Sequence, residues 1–453
     1  MAETTGAGNL PETKLSNTLL GSSGPTEAIA APGRRQLPAL DGLRGFAILI
    51  VLVYHYLILL PTTNPWLAGF VIAVASKGYV GVDLFFVLSG FLITGILYDS
   101  KGQNHYFRNF YARRFLRIFP LYYLVLAGVA LFLVGIKLGL PHIWHKYPKF
   151  PGLLAAMPWL WTYTTNFGMV LGAKTSACGH FWTLAVEEQF YTIWPLVIFF
   201  INRRNAIRIS ATLIFGALLI RLCITHLDWG QMANYILTPS RMDALAIGAL
   251  VALLIRSPGC SIDMLAKAAR WIFPLALIPF AAFLIILPLT RLHLVPWATL
   301  PPNATIYNMA IMGTTGFHYM GWKRDLFYSD FAVMFAALLI LALSPTAWRG
   351  LPNRLFCWKP LRILGGYSYG IYVFHFIILR GISTMLRVTH LHHRVYSSDW
   401  LTLLIIALNI VLSLVTAFAS FHLWERRFLK LKRNFPEKSA APFATAAIDQ
   451  PGK

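Results

Sequence analysis

Residues Leu40 to Leu60, LDGLRGFAILIVLVYHYLILL, form an apolar run long enough to cross a bilayer, yet it carries Asp41, Arg44 and His55. At about 100° and 1.5 Å per residue, Arg44 and His55 lie on nearly the same helix face, about 16 Å apart along the axis. A cation and an imidazole are costly in hydrocarbon, and such groups face a bundle interior or a wet cavity. The stretch therefore reads as a membrane helix whose polar face lines a channel or a site.

The whole chain agrees with that reading. It has 453 residues, of which 57% are hydrophobic and only 12% charged, with a mean hydropathy of +0.60. Soluble domains carry about a quarter charged residues, so this is a polytopic membrane protein. Its net charge of +22 is spread in short clusters between apolar runs, which points to membrane topology and not to nucleic acid. The four cysteines, Cys178, Cys223, Cys260 and Cys357, are scattered and show neither metal-ligand nor disulfide spacing.

The predicted fold is all-α: a polytopic bundle of about ten transmembrane helices with both termini cytoplasmic. The spans fall near 40–60, 80–98, 118–136, 181–201, 207–226, 241–255, 271–290, 327–344, 363–385 and 401–423. An eleventh candidate, 152–172, is interrupted by Pro158, Thr162, Thr164, Thr165 and Asn166. If it does not cross, the basic clusters around Arg113, Arg203, Arg256, Arg354 and Arg426 all fall on the cytoplasmic side, so it reads as re-entrant or interfacial. The membrane domain runs over 37–428. Residues 1–36, rich in Gly, Ser, Thr, Pro and Ala, read as a disordered tail, and 429–453 as a basic and then Ala/Pro-rich tail. Two long outer segments, 137–180 and 291–325, carry Trp144, Trp159, Trp161, Trp297 and Trp322, which suit an interfacial aromatic belt or stacking on sugar rings.

Counting rise from the span ends puts His55, Asp83, Glu187 and His375 in one layer, with Asp243 slightly closer to the outer face. An imidazole beside a carboxylate can take a proton from a hydroxyl, so His55 is the candidate base and Glu187 or Asp83 the group that orients it. Cys178 is a weaker candidate nucleophile, because nothing basic is placed to lower its pKa. Toward the cytoplasm, Arg44, Arg114 and Arg117 form a basic collar suited to an anionic, phosphate-bearing donor.

At seven points the chain resembles the acyltransferase-3 family of bacterial integral-membrane O-acyltransferases: LDGLRGFAILIVLVYH, GVDLFFVLSGFLI, RRFLRIFP, FWTLAVEEQFY, RMDALAIG, SYGIYVFH and WERRF, between Leu37 and about Phe428. The resemblance implies transfer of an acyl group, commonly acetyl from cytoplasmic acetyl-CoA, to a hydroxyl of a cell-envelope or secreted carbohydrate. It implies acyl-CoA as a substrate with no tightly bound cofactor or metal. It places the family's essential Arg and His on Arg44 and His55, its Trp-Ser-Leu-x-x-Glu element on Trp182 to Glu187 with Thr183 for Ser, and its Arg-Phe-x-Arg-x-x-Pro element on Arg114 to Pro120. Trp182, Glu188, Tyr191, Arg241, Asp243, Tyr372 and His375 complete the expected polar set for substrate contact or support. The expected setting is the bacterial inner membrane, with the acceptor reached directly or through a separate extracytoplasmic partner protein. The competing reading is a proton-coupled transporter or flippase, against which the absence of internal repeats counts.

Overall fold

The computed structural model describes residues 37–57, 78–294, 322–396 and 398–436. The expected tail 1–36, the stretch 437–453, the end of the first span after Leu57, and Trp297 and the Trp322 side chain in the second outer segment lie outside the described residues.

Long apolar runs broken by Gly, Pro and polar clusters become ten long helices. They are α1 Pro38–Leu57, α2 Gly81–Asp99, α3 Tyr106–Gly139, α4 Trp182–Phe200, α5 Arg203–His226, α6 Thr238–Ile255, α7 Ile262–Leu294, α8 Trp322–Leu343, α9 Lys359–Val388 and α10 Asp399–Ser420. No strand occurs among the described residues. Among the described residues nine of these helices are long and apolar enough to cross a membrane, and the fold is a polytopic membrane helix bundle. The exception is α4, expected as the fourth span: Glu187, Glu188 and Gln189 in succession dilute its apolar run. The stretch 152–172 forms parts of three short helices, Lys149–Ala155, Met157–Trp161 and Thr165–Val170. None is long enough for the roughly 30 Å hydrocarbon core.

Backbone contact between helices sets the frame. With lipid on the outside there is little hydrophobic drive to pair helices, so small residues that admit close approach decide which pairs pack. A β-carbon on Gly45 would collide with the carbonyl oxygen of Leu361, and one on Gly365 with that of Asp41. These glycines let α1 and α9 run side by side in the same direction. His55 lies ten residues beyond Gly45, and His375 ten residues beyond Gly365. Equal rises of about 15 Å therefore carry both imidazoles to the same height. In the same way Gly90 meets Leu245 and Gly248 meets Val87, clamping α2 to α6. At the Arg44 end Arg256 holds Asp99 through two bonds of 2.7 Å, tying the ends of α2 and α6 together.

The interior of the bundle is apolar around these contacts, with Leu43, Ile48, Phe86 and Ile93 fully buried. On the outer faces Leu131, Trp271 and Leu404 stay exposed, as lipid-facing side chains do.

Candidate functional site

Three layers of polar side chains occupy the bundle. The first is a histidine cluster. The rings of His55 and His375 lie 4.9 Å apart, and His180, from the turn before α4, lies 5.2 Å from His375. The hydrogen-bond pattern assigns the tautomers. His375 Nδ1 faces two carbonyl oxygens, those of Tyr372 at 2.7 Å and Ile371 at 3.2 Å, so it carries the proton. Its Nε2 is then an acceptor, 3.3 Å from His55 Nδ1. His55 Nδ1 also faces the Val51 carbonyl oxygen at 3.0 Å and must donate. The proton on Nδ1 leaves His55 Nε2 with a free lone pair, the form a general base needs.

The second layer is an open cleft at the Arg44 end. Five helices line it. Arg44 comes from α1, Phe85, Phe86 and Ser89 from α2, Arg114 and Arg117 from α3, Thr183, Glu187 and Tyr191 from α4, and Ser368, Tyr369 and Tyr372 from α9. The motif spacings explain the convergence: Arg114 and Arg117 are three apart on α3, Glu187 and Tyr191 four apart on α4, so each pair shares a face. Ser89 donates to Glu187 Oε1 at 2.6 Å, and Arg44 reaches Asp41 at 3.1 Å. The Arg114 guanidinium lies 5.4 Å from the Tyr191 ring. Arg117 has no hydrogen-bond or ion-pair partner among the described residues. At the far end stands Tyr372. Its hydroxyl donates to the His180 carbonyl oxygen at 2.6 Å and lies 2.5 Å from Thr183 Oγ1, and its ring is 5.5 Å from that of His375. One side chain thus touches both the cleft and the histidines.

The third layer consists of two ion pairs, all four members fully buried: Arg241 with Asp83, and Arg221 with Asp243 at 2.8 Å. Ser329 donates to Asp243 Oδ2 at 3.0 Å, and the Arg241 guanidinium lies 4.8 Å from the Tyr328 ring. These groups neutralise one another, which is how charge is tolerated inside a bundle.

This arrangement sorts the expected residues. Arg44, Arg114, Arg117, Glu187, Tyr191 and Tyr372 share the cleft, and His375 joins His55. Neither carboxylate expected to orient His55 does so among the described residues: Asp83 is taken up by Arg241 and Glu187 by Ser89. A backbone carbonyl and a second imidazole fill that role. Arg241 and Asp243 stand in the ion-pair layer, while Trp182 packs on Phe86 at 6.0 Å and Tyr235 at 4.9 Å. Glu188 lies next to the cleft without lining it. Trp144 is buried and Trp161 stacks on Tyr123 at 5.1 Å, so of the described outer tryptophans only Trp159 and Trp161 retain exposed surface. Burial pushes the Cys178 thiol up to about 12, which removes it as a nucleophile. Sequence reasoning missed Arg221, His180 and Ser89. Arg221 had the same signal as Arg44, a lone cation in an apolar run; Ser89 had none. Among the described residues no group of three or more His, Cys, Asp or Glu side chains is arranged to hold a metal ion.

Comparison with known proteins adds a family. The family model described as "Acyltransferase domain" matches residues 37–422. The chain is 28% identical over 357 residues to the putative peptidoglycan O-acetyltransferase YrhL of Bacillus subtilis, covering 76% of this chain and 49% of that one. It is 28% identical to the O-acetyltransferase OatA of Staphylococcus aureus, over 76% of this chain and 51% of that one. To the peptidoglycan O-acetyltransferase OatA of Listeria monocytogenes it is 26% identical, over 90% of this chain and 58% of that one. The chain thus spans about half the length of these relatives. No solved structure matches it.

Proposed function

Since the chain belongs to the acyltransferase family, we propose that it moves an acyl group, acetyl first among them, from cytoplasmic acyl-CoA to a hydroxyl of a cell-envelope carbohydrate, in the bacterial inner membrane. The observation that carries this reading is the meeting of the arginine-lined cleft and the base-competent histidine at Tyr372. An anionic donor and a base are the two requirements of the chemistry, and Tyr372 stands between the groups suited to each.

In this reading the Arg44 end faces the cytoplasm. Coenzyme A places its phosphates on Arg44, Arg114 and Arg117, where charge-assisted hydrogen bonds hold it, and its pantetheine arm climbs the cleft toward Tyr372. The acceptor arrives from the other end. His55 Nε2 takes the hydroxyl proton as that oxygen attacks the thioester carbonyl, the C–S bond breaks, and the sulfur leaves with the proton from His55. The Nδ1 proton, shared between Val51 and His375, fixes the ring and spreads the charge of the imidazolium. The names of the relatives make peptidoglycan the first acceptor to test.

The donor step is tested by titrating the purified protein with a thioether analogue of acetyl-CoA. Arg117 has no hydrogen-bond or ion-pair partner among the described residues, so Arg117→Ala is expected to keep the fold and to remove one charge-assisted contact. The expected result is a Kd raised about 10- to 100-fold, from roughly 1.5–3 kcal/mol. An unchanged Kd would take the donor out of the cleft.

A further inference from the structure

At the end of the bundle opposite Arg44 stands a second basic group that topology does not explain. If the Arg44 end is cytoplasmic, this end faces outward, where Lys and Arg are disfavoured in short loops. Yet residues 137–180 carry Lys137, Lys146, Lys149 and Lys174 without a single Asp or Glu, and residues 376–398 carry Arg380, Arg387 and Arg394, again without one.

Two of these cations, Lys149 and Arg380, are drawn together above the histidine cluster, with the exposed Arg387 about two turns farther along α9. The Arg380 guanidinium lies 4.9 Å from the Phe376 ring. That ring is 4.9 Å from the His55 ring and 5.3 Å from His180. Lys149 Nζ donates to Thr384 Oγ1 at 2.6 Å, and Thr384 in turn to the Arg380 carbonyl oxygen at 2.6 Å. Tyr147, whose ring is 5.5 Å from Lys149 Nζ, bonds the Arg387 carbonyl oxygen at 3.4 Å. No carboxylate pairs with Lys149, Arg380 or Arg387 among the described residues, and Arg380 Nε is buried without a hydrogen-bond partner. Burial and the charges of Arg387 and Arg380 pull the Lys149 ammonium below its ordinary value, which marks the group as self-repelling. Two half-buried cations and an exposed third, gathered without a counter-charge among the described residues, form a site for an anion.

We propose that Lys149, Arg380 and Arg387 bind an anionic group of the acyl acceptor, a carboxylate or a phosphate, and so hold its hydroxyl over His55. Arg380 stands five residues past His375, roughly 7.5 Å farther along α9, a separation that one sugar residue spans. The proposal rests on the acyltransferase reading, and it adds a selectivity that the family does not specify: a negatively charged acceptor in preference to a neutral one. A sugar acid would supply the carboxylate, and a lipid-linked saccharide the diphosphate.

The test uses the full chain in phosphatidylcholine nanodiscs, titrated with two anionic probes and their neutral counterparts: a uronate oligosaccharide against the same oligosaccharide reduced to the alcohol, and undecaprenyl diphosphate against undecaprenol. Wild type is expected to bind at least one anionic probe about tenfold or more tighter than its counterpart, and which probe does so identifies the source of the charge. In the double variant Lys149→Gln/Arg380→Gln that preference disappears, while the Kd for the acetyl-CoA thioether stays as in wild type. A wild type without preference, or a preference that survives the double variant, overturns the proposal. Equal competition by phosphatidylglycerol also overturns it, by reassigning the cations to membrane lipid. Failure of the acyltransferase reading shows separately, as a wild type that does not bind the thioether at all.

Discussion

Replacing His55 by alanine is expected to lower acyl transfer by at least about 10²-fold, the lower end of what a positioned base contributes, with the protein still inserted and folded. His55 is half-buried, and its side-chain hydrogen bonds go to Val51 and His375. Its removal therefore leaves His375 Nε2 without its donor but opens no ion pair. Binding of the acetyl-CoA thioether at the Arg44 end should be unchanged, because His55 does not line that cleft. His55→Gln should be as inactive as His55→Ala, since an amide fills the space without offering a base. Transfer by either variant within a few-fold of wild type would remove His55 from the chemistry.

The second large effect concerns stability. Asp83 and Arg241 are both fully buried and face each other, so removing one leaves the other as an uncompensated charge inside the bundle. Breaking such a pair costs roughly 3–5 kcal/mol. Asp83→Asn or Arg241→Met alone should lower the thermal midpoint in nanodiscs sharply, whereas Asp83→Leu/Arg241→Met together should recover much of the loss. Single variants with an unshifted midpoint would show that the pair is not what holds α2 to α6, leaving the Gly90 and Gly248 contacts to do so. The same variants bear on catalysis: loss of activity in the stable double variant would restore Asp83 to the reaction.

Arg44 and His55 could be placed on one face, and Arg44, Arg114 and Arg117 in one basic collar, because helical period and bilayer thickness are properties of a single stretch of chain; Glu187, expected in the layer of His55, stands instead among those arginines. The layer containing His55 and His375 was legible for the same reason. Partner choice within that layer was not. Depth counting treated Asp83, Glu187, His55 and His375 as equivalent, but which of them touch depends on how helices are ordered in the membrane plane. That order is set by backbone contacts at Gly45, Gly365, Gly90 and Gly248, and a glycine in an apolar run does not announce its neighbour. The carboxylates expected beside His55 are engaged by Arg241 and Ser89, and His375, expected only as a supporting polar group, is the side chain in contact with it. Arg221 was readable and overlooked; Ser89, a small hydroxyl in an apolar helix, carried no signal of its place against Glu187.

The most direct measurement follows both halves of the donor at once. Membranes containing the full chain would be incubated with acetyl-CoA labelled differently in the acetyl and coenzyme A parts and with a peptidoglycan fraction, the His55→Ala protein serving as blank. Base-labile acetyl label is expected on the glycan, one for each coenzyme A released, in wild type and not in the blank. Equal label in both, or none from any acyl-CoA in a panel, would contradict the proposed reaction.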